Sequence, residues 1–540
     1  MLIDRRSLVL GGTAALVAPA ALSAVGAQPV ARRPIPAEQQ ARWLDVRSFG
    51  ARGDGTRIDT PAINDAIAAA SRAGGGTVYF PAGTYACYTI RLRSNVTLYL
   101  EQGAVILAAS TPPGGTTSGG YDAPDPVQAW DAFQDFGHTH WANSLIHGDG
   151  LHDVAILGAG ILFGKGLSSG RSGRSARDND NDLPVSGQPG VGDKTIALRN
   201  CRNVLLRDFK VRQGGWFALL ATGVDNLTID NLIVDTNRDG FDIDCCRNVR
   251  VSNCTVNSPW DDGICPKSSF ALGYARSTEN VTITNCHLTG VYQVGSIIDG
   301  TWKRMPMMPD RGGTGRIKCG TESNGGFKNI TISNCVFEEC QGIALETVDG
   351  AVLEDITITN ITMRRLSSGP LFLRLGRRMR GPAGTPIGTL RRVLISNISS
   401  FDGPLLPSII AGVADHPVED VKIADLFVQQ TGGAGADLVG REVPLLEDKY
   451  PEPGMFGPLP ATGFFIRQAR NIEMSNVEVS VAKFDPRPAF WLQDVDGADF
   501  FRVRAPKGET FMLDRVSAFR SFGSPSIADR KFSARVSRTF

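Results

Sequence analysis

Two short acidic motifs lie one repeat apart: Asn237-Arg238-Asp239-Gly240 and Trp260-Asp261-Asp262-Gly263. Asp239 precedes Asp261 by 22 residues and Asp262 by 23, almost in phase with short apolar segments that recur through the same stretch. A coil that stacks one strand per repeat would set the three carboxyl groups on neighbouring rungs of one wall. A carboxylate cluster on a long surface points to hydrolysis of a polysaccharide.

The elements that must position these acids are visible as a repeat, Asn/Asp-apolar-x-apolar-x-Asn/Asp, starting at Asn203, Asn226, Asn248, Asn280, Asn329, Asp355, Arg392, Asp420 and Asn471. The first spacings are 23 and 22 residues and later ones lengthen to between 26 and 51, so loops are expected between rungs. Alternating segments of this kind are strands. A period in the low twenties marks a solenoid, in which each rung buries its inner face only against its neighbours. Cys254, Cys286 and Cys335 occupy one position in three successive repeats, each preceded by asparagine (Asn253, Asn285, Asn334). The expectation is a stack of small apolar thiols inside the coil with an asparagine ladder beside it. Cys245-Cys246 and the pair Cys335 and Cys340 remain able to oxidise.

Composition agrees with an all-β chain. The 540 residues include 61 glycines and 42% hydrophobic residues, and 56 basic side chains nearly cancel 55 acidic ones. Nothing in that balance favours nucleic acid or an anionic membrane. Arg5-Arg6 followed by an Ala- and Gly-rich apolar run and the small residues Val25-Gly26-Ala27 read as a twin-arginine signal, residues 1–27. The mature chain, 28–540, is expected to be one periplasmic or secreted domain, monomeric and without stable membrane association. Thr60 is placed to cap, and Pro61 to start, a short helix that ends at three glycines and plugs the coil within an N-terminal cap at 45–80. Thr77 to Phe80, Thr89 to Leu92 and Val96 to Leu100 read as first-rung strands. Ser168 to Gly190 and Lys303 to Gly312 read as loops that shape a groove. Gly432 to Thr462 is expected to fold over one side, and weak periodicity from about Pro486 suggests a C-terminal cap to residue 540.

FGARGDG (Phe49 to Gly55), FPAGTY (Phe80 to Tyr85), ANSLIHG (Ala142 to Gly148), GVDNLTI (Gly223 to Ile229), the two aspartate motifs and STENVTITNC (Ser277 to Cys286) together resemble glycoside hydrolase family 28, the polygalacturonases and rhamnogalacturonases. The resemblance implies a single-stranded right-handed parallel β-helix, the pectin-lyase-like solenoid, and hydrolysis with inversion and no cofactor. The family's Asn-Thr-Asp falls on Asn237, Arg238 and Asp239, with arginine replacing threonine. Its aspartate pair falls on Asp261 and Asp262. The implied roles are Asp261 as general acid and Asp239 and Asp262 as bases.

Physical chemistry supports such roles independently. An inverting glycosidase holds its acid and base roughly 6.5–9.5 Å apart; one rung supplies about 4.8 Å and side-chain reach the remainder. Clustered like charges should also keep one carboxyl protonated. The competing reading is that aspartates in such turns only satisfy backbone donors, as Asp242 or Asp244 would.

Two departures bear on the substrate. Gly313-Thr314-Gly315 stands where the family has Gly-His-Gly, and Ala344 and Glu346 stand where it has the arginine and lysine that grip a uronate. A literal Arg316-Ile317-Lys318 belongs to the preceding rung. Arg316 and Lys318 either reach the cleft and bind a carboxylate or form a solvated loop flank; Glu346 either binds sugar hydroxyls or disfavours a uronate. A branched pectic glycan such as rhamnogalacturonan therefore fits better than plain homogalacturonan. Asn237, Lys267, Trp260 and Tyr292 are further substrate-binding candidates, with Trp216 and Trp302 as other possible sugar platforms; for Lys267 a turn-surface role competes, and for Trp216 core packing. His138, His140, His147 and His152 cluster without the cysteine or carboxylate pattern of a zinc site, so sugar contact or surface placement is expected and no metal. Two other functions stay open: a β-helix polysaccharide lyase acting on uronates with a basic residue and a cation, and a non-catalytic carbohydrate-binding solenoid.

Overall fold

The computed structural model describes residues 43–110, 120–169, 186–304 and 313–540, with side chains except those of 292–294. Helix α1, Thr60–Arg72, turns Ile63, Ala66, Ile67 and Ala70 inward and closes the first rungs, as its apolar spacing dictates. Pro61 sits in its first turn, but Thr60 does not cap it. The Thr60 hydroxyl instead accepts from the Tyr88 amide (2.8 Å), and Asp59 accepts from the amides of Arg52 and Gly53. The side chains that sequence would assign to capping are used to tie the helix to the coil. The first-rung strands are Gly76–Phe80, Gly83–Cys87 and Val96–Leu100, with a shorter segment than expected at Ile90–Arg91.

The chain then winds as a right-handed parallel β-helix. The rungs stay in register across unequal spacings: Val204 pairs with Leu227, Leu227 with Val249, Val249 with Val281 and Val281 with Ile330. The longer intervals are therefore insertions between rungs. Every one of the nine repeat starts, Asn203 to Asn471, has φ between 54° and 61°, a left-handed corner that asparagine and aspartate tolerate best. Their side chains form a ladder: Asn226 donates to Asn203, Asn248 to Asn226, Asn280 to Asn248 and Asn329 to Asn280, at 2.8–3.2 Å. Where Arg392 breaks the pattern, its guanidinium binds Asp355 one rung back (2.7 Å). In a second ladder Asn285 donates to Asn253, Asn397 to Asn360 and Asn360 to Asn334, whose own amide turns to the Thr284 hydroxyl. All ten cysteines are free and buried.

One wall of the coil matters for function. Strands β1 (Ile90–Arg91), β2 (Ser144–Asp149), β3 (Lys194–Arg199), β4 (Phe217–Thr222), β5 (Asp239–Asp244) and β6 (Ile264–Lys267) stack in that order. The wall continues through a bridge from Ile264 to Ile317 into β7 (Lys318–Cys319), β8 (Ile343–Thr347), β9 (Leu371–Leu375), β10 (Ser408–Ala411), β11 (Phe464–Lys483), β12 (Phe490–Phe501) and β13 (Phe511–Phe522). Parallel winding thus runs well past Pro486, and two antiparallel strands, Arg530–Phe532 and Val536–Thr539, cover its end.

Most of this wall's outer face is roofed. Over β8 to β12 the outward Ala344, Phe372, Ile409, Phe465 and Trp491 bury against Val443, Phe456, Leu459 and Ala461 of the 432–462 loop. Arg374 and Arg467 stitch that loop down by donating to the carbonyls of Leu446, Pro444 and Val443 (2.8–3.0 Å). Over β3 and β4, Ala197, Phe217 and Leu220 bury beneath Phe136, Trp141 and Ala271. The interval between these roofs holds the aspartates, of which Asp261 is the partly exposed member.

Candidate active site

Asp239 begins β5, in register with Phe217 of β4. Phe241 pairs with Ile264, and the Gly240 amide donates to the Asp262 carbonyl (2.9 Å), so Asp239 and Asp262 stand side by side on successive rungs. The glycine after each acid follows from this stacking. A Cβ on Gly240 would collide with the Gly263 carbonyl, and one on Gly263 would meet the Gly315 carbonyl. Asp261 turns over the same spot because the Ser258 hydroxyl ties the carbonyls of Arg238 and Asp261 together. One oxygen from each of Asp239, Asp261 and Asp262 lies within 4.8 Å of the others. That is tighter than the inverting separation expected above, because two of the acids are exact rung neighbours and the third folds back on them.

The three carboxyls have different surroundings. Asp262 is buried, with Arg316 Nε at 2.7 Å from one oxygen and Lys318 Nζ at 2.5 Å from the other. Burial alone would raise its pKa; Lys318, Arg316 and Lys267 overcome that and hold it well below the usual carboxylate range. Asp239 is buried without such partners. Burial, then the charges of Asp261 and Asp242, push it well above that range against the opposing pull of Lys267 and Arg238. Asp261 is the member that faces solvent, and Arg238 Nη2 reaches it at 2.9 Å. Arg238 lies over the Trp216 ring and also donates to the Ser169 carbonyl.

A buried network underlies the trio. Lys267 Nζ lies 3.1 Å from Glu322 and 3.8 Å from Asp242, and His138 Nε2 is 3.2 Å from Asp242. Arg378 approaches Glu322 and binds Asp349 at 2.5 Å. Glu346 is fully enclosed on β8, accepting from the Thr321 hydroxyl (3.2 Å) with Arg316 at 3.9 Å. Burial raises its pKa to about 7, although Lys318 and Arg316 draw it down. From the 432–462 loop, Glu452 reaches Arg316 (3.3 Å) and the Tyr450 hydroxyl lies 2.9 Å from that of Thr321. A cavity of about 250 Å³ between Trp130, Trp141 and Arg199 is separate and contains none of the three acids.

These positions revise several sequence expectations. Arg316 and Lys318 point at the aspartates, yet they are neither a solvated flank nor open to a substrate: both are spent on Asp262. Glu346 cannot touch a sugar directly because no part of it is exposed. Lys267 is buried and not a turn-surface lysine. His138 and His140 lie in and after a 3-10 turn (Phe136–His138), buried, and share no strand; His140 stacks on Phe136. Trp216 is core, packed with Phe217 and Trp141, whereas Trp260 is half-buried beside the acids and Trp302 is exposed. Asn237 is buried next to Asp239. The Tyr292 side chain, residues 170–185 and 305–312 of the two proposed groove loops, and the signal at 1–27 lie outside the described residues. Thr314 does not replace the histidine chemically: its amide and that of Gly315 bond the carbonyls of Pro259 and Asp261 and so buttress the acid turn. Glu452, Tyr450 and Glu322 were missed, since no repeat or motif marks them.

Two family models match parts of the chain: "Rhamnogalacturonase A/epimerase, pectate lyase-like" over residues 43–117 and "Right handed beta helix region" over 180–303. The chain is 24% identical over 345 residues to a protein named "Probable polygalacturonase" from Vitis vinifera, covering 61% of this chain and 62% of that one. It is 22% identical over 273 residues to an exo-poly-alpha-D-galacturonosidase of Dickeya chrysanthemi, covering 44% and 43%. The Yersinia enterocolitica family 28 exopolygalacturonase superposes with a TM-score of 0.61 at 17% identity, covering 86% of this chain and 79% of that one. Over part of its length the chain is similar to proteins that carry polygalacturonase names. It spans less than two thirds of the length of the two curated relatives. No helix among the described residues is long and apolar enough to cross a membrane.

Proposed function

We propose that the protein is a glycoside hydrolase that removes terminal units from pectic glycans, with Asp239, Asp261 and Asp262 as its reacting groups. The observation that carries this reading is the convergence of three carboxyls between the two roofs, Asp262 held by two cations, Asp239 buried without one and Asp261 facing solvent. Asp239, raised by burial and by the neighbouring Asp261 and Asp242 charges, holds a proton. Asp261, the solvent-facing member, delivers it to the leaving oxygen. Asp262, kept ionised by Arg316 and Lys318, orients the attacking water and takes its proton as the water oxygen bonds the anomeric carbon and the leaving oxygen departs protonated.

The two roofs support exo action. A long chain lying along the wall would meet Phe136 and Trp141 on one side and the 432–462 loop on the other, so a chain end suits the opening better than a chain middle. Trp260 and Tyr450 are placed to cover the apolar face of a pyranose. The polygalacturonase likeness supports a pectic substrate, and the consumed basic pair favours one other than plain homogalacturonan. Export through the twin-arginine route and a monomeric state remain part of this proposal.

The test is a product-resolved screen on defined pectic oligosaccharides. Successive loss of single terminal sugars with uptake of water supports the reading. Ultraviolet-absorbing unsaturated products would replace it with a lyase, and no cleavage of any glycan would replace it with a binding solenoid.

A further inference from the structure

The charges around the trio are arranged in depth, and their order bears on what sugar can sit there. The linked set contains five cationic side chains, Arg238, Lys267, Arg316, Lys318 and Arg378, and eight carboxylic acids, Asp239, Asp242, Asp261, Asp262, Glu322, Glu346, Asp349 and Glu452. Each cation already contacts at least one of those acids. The cations also lie beneath them: side-chain exposure is 1% for Arg316, 2% for Lys318, 6% for Lys267, 7% for Arg378 and 12% for Arg238. The members that meet solvent are Asp261 at 29% and Glu452 at 40%. Arg380, a more open cation reached through the Arg378 segment, is itself paired with Asp135.

A uronate is recognised by a cation with free donors at the surface, preferably a forked guanidinium. Among the described residues the surface layer here consists of carboxyl groups, and the guanidinium and ammonium groups behind it are engaged. An incoming carboxylate would lose its hydration, gain no partner among the described residues and meet the Asp261 and Glu452 carboxyls. A neutral pyranose incurs none of these costs: its hydroxyls can donate to Asp261 and Glu452, and its carbon face can rest on Trp260 or Tyr450.

We propose that the sugar ring bound at the aspartate trio is uncharged, a neutral hexose or deoxyhexose or an esterified uronate, and that Glu452 is a specificity-determining residue that excludes free uronates. This rests on the pectic hydrolase reading and names the substrate unit within it: the enzyme trims neutral or capped ends, and the reaction that must follow it is one that accepts the newly exposed acidic unit.

The test compares binding to the wild-type protein, by calorimetry near neutral pH, of galacturonic acid, its methyl ester, galactose and rhamnose. No turnover is needed. The tightest binder should be uncharged and at least about tenfold tighter than galacturonate, with the gap shrinking as salt is raised. Glu452→Gln should narrow the gap severalfold, through stronger uronate binding and a slightly weaker hold on the neutral ligand. Galacturonate binding as tightly as its ester or more tightly, no neutral sugar binding at all, or a gap that Glu452→Gln leaves unchanged would overturn the proposal. A chain that cleaves uronate ends preferentially refutes this inference and leaves the hydrolase standing. A chain that cleaves nothing refutes the hydrolase and leaves the binding comparison to decide the ligand.

Discussion

Glu346→Gln should remove a pH dependence of stability that the native chain carries. Glu346 is wholly enclosed, and its pKa is raised from 4.5 to about 7. A carboxyl whose folded-state value is raised contributes stability that is fully present below its unfolded value and lost as pH rises through the folded one. Between pH 5 and pH 8 the wild type should therefore lose about 2.5 kcal/mol from this group, within a full span of about 3.4 kcal/mol for the whole shift. Glutamine keeps the shape and can still accept from Thr321 Oγ1, but it has no proton to lose. The variant should accordingly gain about 2.5 kcal/mol relative to wild type on going from pH 5 to pH 8. Urea unfolding followed by tryptophan fluorescence, with both proteins titrated in parallel at the two pH values, measures this. Parallel stability-pH curves would show that Arg316 and Lys318 keep Glu346 ionised throughout, and the depth ordering of charges would then be wrong at that position.

Asp261→Asn and Asp262→Asn should differ in stability as well as in activity. Asp262→Asn strands two buried cations and should cost about 3–5 kcal/mol, whereas solvent-facing Asp261→Asn should cost under about 1 kcal/mol; thermal melts distinguish them. Asn280→Ala interrupts the outer ladder, where Asn280 donates to Asn248 and accepts from Asn329 at φ 58°, and should cost about 2 kcal/mol. Asn280→Gly should recover roughly half of that, because glycine accepts the left-handed corner. The first-formed sugar should carry the opposite anomeric configuration to the substrate, read by proton NMR in the opening minutes of reaction. Retention with a glycosyl-aspartate adduct would mean that the close carboxyl spacing, and not the family pattern, governs the outcome.

The fold was legible because its rule is local. An asparagine or aspartate that tolerates a left-handed corner, followed by alternating apolar residues, specifies one rung corner wherever it occurs, and insertions between rungs do not disturb it. The acid trio was legible for the same reason: two motifs one repeat apart must stack once the repeat is accepted. The cations were only half legible. Arg316 and Lys318 could be located by string and rung, but whether they serve a substrate or Asp262 depends on the single-residue register of β6 against the segment entering β7. Glu452, Tyr450 and the roof over Phe217 were not legible. Tyr450 and Glu452 lie 188 or more residues beyond Asp262, and Phe136 and Trp141 of the roof lie 98 or more before Asp239, and nothing periodic connects them. The Thr60 expectation failed for a related reason: the hydroxyl had a second use, on Tyr88, that only the neighbouring rung reveals.

Turnover of the three single variants on a cleaved oligosaccharide tests the central claim most directly. Asp239→Asn, Asp261→Asn and Asp262→Asn, each confirmed folded by its far-ultraviolet spectrum, should lower kcat by about 10²–10⁴. Full turnover by folded Asp261→Asn would contradict the account, because no other solvent-facing member of the trio can pass a proton to the leaving group.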